Sequence, residues 1–175
     1  MSLWGDETDC FRMYSKRNHL LIIKNINDEI LKVHIDGRTG PVAVFEHYLS
    51  PQSETDHDGI NFCVVRYKTR VYNEMPKGIP IVFQITVNGL VYHMYSTEEG
   101  NRKVLKFKEG NAPISVEGSM KNIIFFQQYF DEQYYKFESA SARGWFLCTA
   151  NDNTVSLKEV ERNDDEMIAV CLDKV

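Results

Sequence analysis

Short runs of alternating or β-branched apolar residues, broken by turn chemistry and never extending into a helical stripe, are what most constrain this chain. They recur as His19–Lys24, Ile30–Ile35, Val42–Tyr48, Phe62–Tyr67, Ile79–Val87, Leu90–Tyr95, Val104–Phe107, Ile123–Tyr129, Tyr134–Phe137, Trp145–Cys148, Val155–Leu157 and Met167–Leu172. Period-two patterning of this kind predicts about twelve short strands. Between them stand Asn25–Glu29, Asp36-Gly37, Asp58-Gly59, Asn88-Gly89, Glu99-Gly100-Asn101 and Asn151-Asp152-Asn153. Asn88-Gly89 is the strongest of these signals, because both residues tolerate the positive φ of a type I′ hairpin turn.

A helical bundle needs longer apolar stripes, and a parallel sheet needs crossover helices; neither is present in the pattern. An all-β barrel or sandwich follows. A large sandwich, a jelly roll and a β-trefoil all accommodate this strand count, and no internal repeat is sharp enough to choose among them. At 175 residues the chain fits one domain with a substantial core. The stretches Ser50–Gly59 and Asn111–Gly118 read as surface loops, where binding residues tend to collect.

A net charge of -5 argues against nucleic acid, whose phosphates favour a basic surface. The charge is unevenly placed. Arg12, Lys16, Arg17, Lys24, Lys32 and Arg38 outnumber Asp28, Glu29 and Asp36, whereas Asp152–Asp173 is mostly acidic. Such polarity suits steering toward a protein partner, and equally suits a solvated surface.

No G-x-S-x-G, H-E-x-x-H or phosphate-binding Gly-rich loop occurs, and the histidines His19, His34, His47, His57 and His93 are scattered. Cys10, Cys63, Cys148 and Cys171 have neither CxxC nor His-paired spacing, so reduced thiols and no metal are expected. Cys148 sits in an apolar run, which favours a buried inert thiol over a nucleophile. The chain is therefore expected not to be an enzyme and to need no cofactor. Residues 1–9 carry no basic n-region or apolar h-region, and no apolar run reaches the length of a membrane span, so no conventional secretion signal or membrane insertion is expected.

The segment Phe137-Glu-Ser-Ala-Ser-Ala-Arg-Gly-Trp-Phe-Leu-Cys-Thr149 resembles the signature of the interleukin-1 family: a Phe-x-Ser strand end, a turn, then an aromatic-Leu-Cys-Thr strand. Arg143-Gly144 stands where many members carry proline. Lys24–Leu31, Met75-Pro-Lys-Gly78 followed by Ile79–Val87, and Lys106–Glu109, Ile123–Gln127 and Phe137–Ser139 in that order resemble the interleukin-18-like branch. The likeness runs from about residue 10 to the C-terminus.

This resemblance implies a β-trefoil over residues 10–175, with six strands closing a barrel and six forming three capping hairpins, preceded by a short leader at residues 1–9. Phe45, Phe83, Phe107, Phe125, Phe137 and Phe146 are the expected core aromatics. The implied function is that of a cytokine, acting as a monomer that binds immunoglobulin-like receptor ectodomains of the interleukin-1 family, an alpha-type chain and then an accessory chain. Lys24 and Asp28 match its charged contact pair, Lys77 the basic residue after proline, and Lys16 and Arg17 lie in the N-terminal stretch such members present. Gln128 is the remaining receptor-contact candidate; it stands where the branch has arginine after Phe-Phe-Gln, so a charge-assisted contact is not implied there and a difference in affinity or partner choice is. Leaderless export of a cytoplasmic precursor to the extracellular space is implied as well.

Another agonist of the same family, or a receptor antagonist, shares these motifs. A β-trefoil that binds glycans or heparin, or that inhibits proteases, is the alternative of another class. Lectin-type trefoils repeat Gln-x-Trp, a context that neither Trp4 nor Trp145 has; a heparin site would rest on Arg102, Lys103, Lys106 and Lys108.

Asp6-Glu7-Thr8-Asp9 immediately precedes Cys10-Phe11, at the point where a family precursor is cut after aspartate. A caspase is the implied processing enzyme. Incubation with inflammatory and executioner caspases is expected to give a new N-terminus at Cys10 by mass spectrometry; an intact chain, or cutting elsewhere, would reject processing at Asp9.

Overall fold

Turn chemistry and side-chain alternation build the sheet locally. Asn88 at φ 52° and Gly89 at φ 79° reverse the chain between β6 (Ile79–Val87) and β7 (Leu90–Glu99), setting Val87 opposite Leu90. This is the two-residue hairpin the dipeptide encodes. The computed structural model describes residues 11–14, 19–47, 58–69, 78–161 and 165–175.

Six strands close on one another. β2 (Leu20–Asn25) pairs with β14 (Val170–Lys174), β14 with β11 (Tyr135–Ser139), and β11 with β10 (Phe125–Tyr129). β10 then pairs with β6, β6 with β5 (Phe62–Thr69), and β5 with β2, which completes the ring. From this barrel project three hairpins: β3 (Ile30–Asp36) with β4 (Gly40–Glu46), β7 with β8 (Arg102–Glu109), and β12 (Trp145–Thr149) with β13 (Val155–Glu159). The hairpins touch one another pairwise through β4, β8 and β13. A closed six-stranded barrel with three hairpins is the expected β-trefoil, and each of the twelve anticipated strands is present.

Two short strands were not anticipated. β1 (Phe11–Met13) pairs with β5 and with β9 (Ser115–Val116). They cover the outer face of the barrel, where Phe11 and Val116 pack with Val65, Val82 and Phe126 in a second apolar cluster. Phe126 faces that cluster because Phe125, its neighbour, faces inward.

Inside the barrel, Phe83, Phe125 and Phe137 are fully buried, with ring centroids 5.6 Å apart for Phe83–Phe125 and 4.9 Å for Phe83–Phe137. These distances and tilted planes suit edge-to-face attraction. Phe45 joins the same core. Two other aromatics expected there depart from it. Phe107 packs against this core from its edge and is only partly buried. Phe146 packs with Cys148 and Ile168 in a separate small cluster, since Trp145 and Leu147 take the inward positions of β12.

Phe83→Ala is expected to lower unfolding free energy by about 3–5 kcal/mol in urea denaturation. Phe107→Ala is expected to cost less than half of that; equal costs would contradict the burial difference.

Candidate functional site

The first hairpin connection is held from beneath by a buried polar junction. Asn25, 2% exposed, accepts hydrogen bonds at Oδ1 from the backbone N–H groups of Asn27 (3.1 Å) and Glu29 (3.0 Å). Its Nδ2 donates to Glu29 Oε1 at 2.9 Å and to Thr149 Oγ1 at 3.1 Å. Asn25 N–H also donates to Glu29 O (3.0 Å) and Asp28 N–H to Asn25 O (3.1 Å). With Asp28 at φ 62°, this is a tight turn closed by a bulge, and aspartate is among the few side chains that tolerate that backbone. Every polar function of the Asn25 amide is satisfied, so the turn is tied both to itself and to the end of β12.

Lys24 and Asp28 stand on the outside of this junction. Lys24 Nζ lies 2.9 Å from Asp173 Oδ2 on β14 and 3.9 Å from Asp28 Oδ1. Its closer partner is therefore Asp173, and the Asp28 side chain, 88% exposed, is left presented to solvent. The hydrogen bond between Lys24 and Asp173 holds the lysine above its ordinary pKa and the aspartate below its own.

Strand pairing extends this patch sideways. Cys171 is opposite Lys24 across β2–β14, and Val170 is opposite Tyr135 across β14–β11, which aligns Tyr134 with Cys171. Burial pushes the Cys171 thiol up to about 11, helped by its hydrogen bond to Asp173 Oδ1 at 3.3 Å. The Tyr134 hydroxyl is raised by burial first, then by Cys171, Asp131, Asp28 and Asp173 around it. The result is a row of Lys24, Cys171 and Tyr134 flanked by Asp28, Asp131 and Asp173. One lysine and one tyrosine thus stand among three carboxylates on a wall fixed by strand pairing.

Gln128 is differently engaged. Its Nε2 donates to Glu138 Oε1 at 2.9 Å, while Glu138 Oε2 accepts from Gly144 N–H at 2.7 Å and lies 3.3 Å from Arg143 Nε. The amide thus braces the turn between β11 and β12. Gly78, at φ 122°, packs so closely on β10 that a Cβ there would meet Gln127 O at 2.5 Å. Sequence reasoning did not find Cys171, Tyr134 or Asp173 as neighbours of Lys24, because their proximity depends on barrel closure. Asp9, Cys10, Lys16, Arg17 and Lys77 lie outside the described residues.

Two of the four basic residues of the β8 cluster are engaged in ion pairs. Lys103 pairs with Glu98 and stands 5.2 Å over the Trp145 ring, and Lys106 pairs with Glu99 at 2.6 Å. Cys148 is buried, and that burial pushes its thiol up to about 11, the opposite of an activated nucleophile. Among the described residues no three His, Cys, Asp or Glu side chains are grouped to hold a metal, and no helix is long and apolar enough to cross a membrane.

Residues 52–171 match the family model described as Interleukin-1 / 18. The chain is similar to interleukin-18 of Gallus gallus, 27% identical over 171 residues that cover 94% of this chain and 83% of the relative. It is also similar to interleukin-18 of Homo sapiens, 26% identical over 163 residues, covering 92% and 76%. Among solved structures, chicken interleukin 1 beta superposes with a TM-score of 0.69 at 21% identity, covering 93% of this chain and 99% of that one. That structural likeness speaks for the fold.

The buried junction and the presented charge are separable. Asn25→Ala is expected to lower stability by about 1–3 kcal/mol through the orphaned Glu29 and Thr149 groups. Asp28→Asn, which keeps the backbone preference, is expected to stay within about 0.5 kcal/mol of the parent. Urea denaturation of both variants checks this, and equal effects would contradict it.

Proposed function

The chain belongs to the interleukin-1/18 family and is an interleukin-18-like cytokine, and from that premise we propose that it works by docking onto immunoglobulin-like receptor ectodomains and joining an alpha-type and an accessory chain into one signalling complex. The observation that carries the docking surface is the outward row Lys24–Cys171–Tyr134, flanked by Asp28, Asp131 and Asp173 on three adjacent barrel strands and their turns. Such a surface costs little to order on binding, because its backbone is already fixed by the Asn25 junction and by strand pairing. Its charges supply orientation and its tyrosine supplies contact area.

Lys16, Arg17 and Lys77 belong to the proposed contact set by family position. Gln128 belongs to the same proposed set, with its Nε2 oriented by the hydrogen bond to Glu138. In the same reading the chain is made as a cytoplasmic precursor, cut by a caspase between Asp9 and Cys10, and exported without a conventional signal. The glycan reading draws no comparable support, as Lys103 and Lys106 of its cluster are already paired with Glu98 and Glu99.

Retention on a panel of interleukin-1-family receptor ectodomains tests the proposal. At least one alpha-type ectodomain is expected to retain the chain, and retention by none would overturn it. With that ectodomain, charge reversal at Lys24 or Asp28 is expected to weaken binding at least tenfold, about 1.4 kcal/mol, with melting temperature unchanged. Unaltered binding would return both residues to the role of solvated turn charges.

A further inference from the structure

The inner face of the same strands carries a feature that receptor docking does not use. Where β2 begins and β14 finishes, the barrel opens into a cavity of about 610 Å³. Its apolar part is formed by Leu21, Val64 and Leu172, each two residues along its strand from a core residue, Ile23, Phe62 and Val170 respectively. The cavity is therefore the barrel interior continued outward past the last filled layer. Its volume falls within the range of about 300–1,000 Å³ typical of small-molecule sites, and barrel mouths are a recurrent place for them.

Gln127 lines this cavity from β10 and is only 8% exposed. Among the described residues its side-chain amide has no hydrogen-bond partner, whereas the neighbouring amides are engaged: Gln128 with Glu138, and Gln84 with the Ala112 N–H. A buried amide with two donors and one acceptor unused is costly, and it points to an occupant that the amide can bond. The backbone of Gln127 is locked between β6 and β11, so the side chain is held in place by its register.

Among the described residues the charge around the opening has one sign: Arg66 and Lys174 line it with His19, and none of the described lining residues is a carboxylate. Asp173, next in sequence to Lys174, is engaged by Lys24 on the outer face. Among the described residues neither Arg66 nor Lys174 has an ion-pair partner. Apolar depth, an unsatisfied amide on the wall and two cations at the mouth are the three requirements of one ligand chemistry.

We infer that the open end of the barrel binds a small amphipathic organic anion as a free monomer, its apolar body against Leu21, Val64 and Leu172 and its carboxylate held by Gln127, Arg66 and Lys174. The Gln127 amide donates to a carboxylate oxygen, and the two cations compensate its charge. The ring of Tyr135 at the wall adds contact area for the body. This site shares no residue with the proposed receptor contacts, and its strand residues face inward while Lys24, Cys171 and Tyr134 face outward.

The probe is decanoate, titrated below its micelle concentration into the isotopically labelled full chain and followed by NMR, with decanol as the neutral counterpart and phosphatidylglycerol vesicles as a membrane control. Saturable one-to-one binding is expected, with shifts of the Gln127 side-chain amide and of the Leu21, Val64 and Leu172 backbone amides. Decanol is expected to bind at least tenfold more weakly. The double variant Arg66→Ala, Lys174→Ala, altered only at exposed side chains, is expected to lose at least tenfold in decanoate affinity while keeping its amide spectrum and melting temperature. Absence of saturable binding, shifts located elsewhere, equal affinity for decanol, an unaffected double variant, or binding to vesicles without uptake of the monomer would each overturn the inference.

Discussion

Closure of the barrel at β2 is the constraint on which the remaining features rest. β2 is hydrogen-bonded to β14 along its whole length and to β5 at its start, and it leads directly into the β3–β4 hairpin. Without that strand the sheet has two free edges, and the core of Phe83, Phe125 and Phe137 loses one wall. An open edge would also be a template for pairing with other chains, which closure removes. The Asn25 junction then extends the constraint beyond the barrel, since its bond to Thr149 joins positions separated by 124 residues.

Two surfaces follow from period-two alternation along three adjacent strands. Leu21, Leu172 and Tyr135 face the cavity, while Lys24, Cys171 and Tyr134 face outward. A one-residue slip of β14 would exchange them, placing Asp173 in an apolar interior and Leu172 in water. The pairing of Lys24 with Asp173 therefore marks the correct register as well as shaping the docking surface. Its contribution to stability is small for exposed groups of this kind; its contribution to surface geometry is the larger one.

How far the chain could be read before folding depends on whether the information was local. Asn88-Gly89 and the alternation of Phe62–Tyr67 are local, and the corresponding hairpin and strand formed as expected, the strand running on to Thr69. The motif Phe137–Thr149 carried the family, and with it the β-trefoil. Lys24 and Asp28 were legible as turn charges, but the preference of Lys24 for Asp173 was not, because residues so far apart meet only after closure. Gln128 was legible as a position in the Phe-Phe-Gln motif, but its hydrogen bond to Glu138 was not, because that contact is set by the strand pairing of β10 with β11. The short strands β1 and β9 escaped pattern reading because three and two residues are too few to show a period. Gln127 was legible only as the end of the Ile123–Gln127 motif; that its buried amide has no hydrogen-bond partner among the described residues is visible only in the folded arrangement.

β2, β14 and the turn they support form one rigid unit with the barrel core. Native-state hydrogen exchange in increasing denaturant measures this directly. Paired amides of β2, β5 and β14 are expected to exchange only through global unfolding, with the same free energy and denaturant dependence as those of β6 and β10. Exchange of β2 or β14 through a separate local opening, at clearly lower free energy than the core strands, would contradict the account.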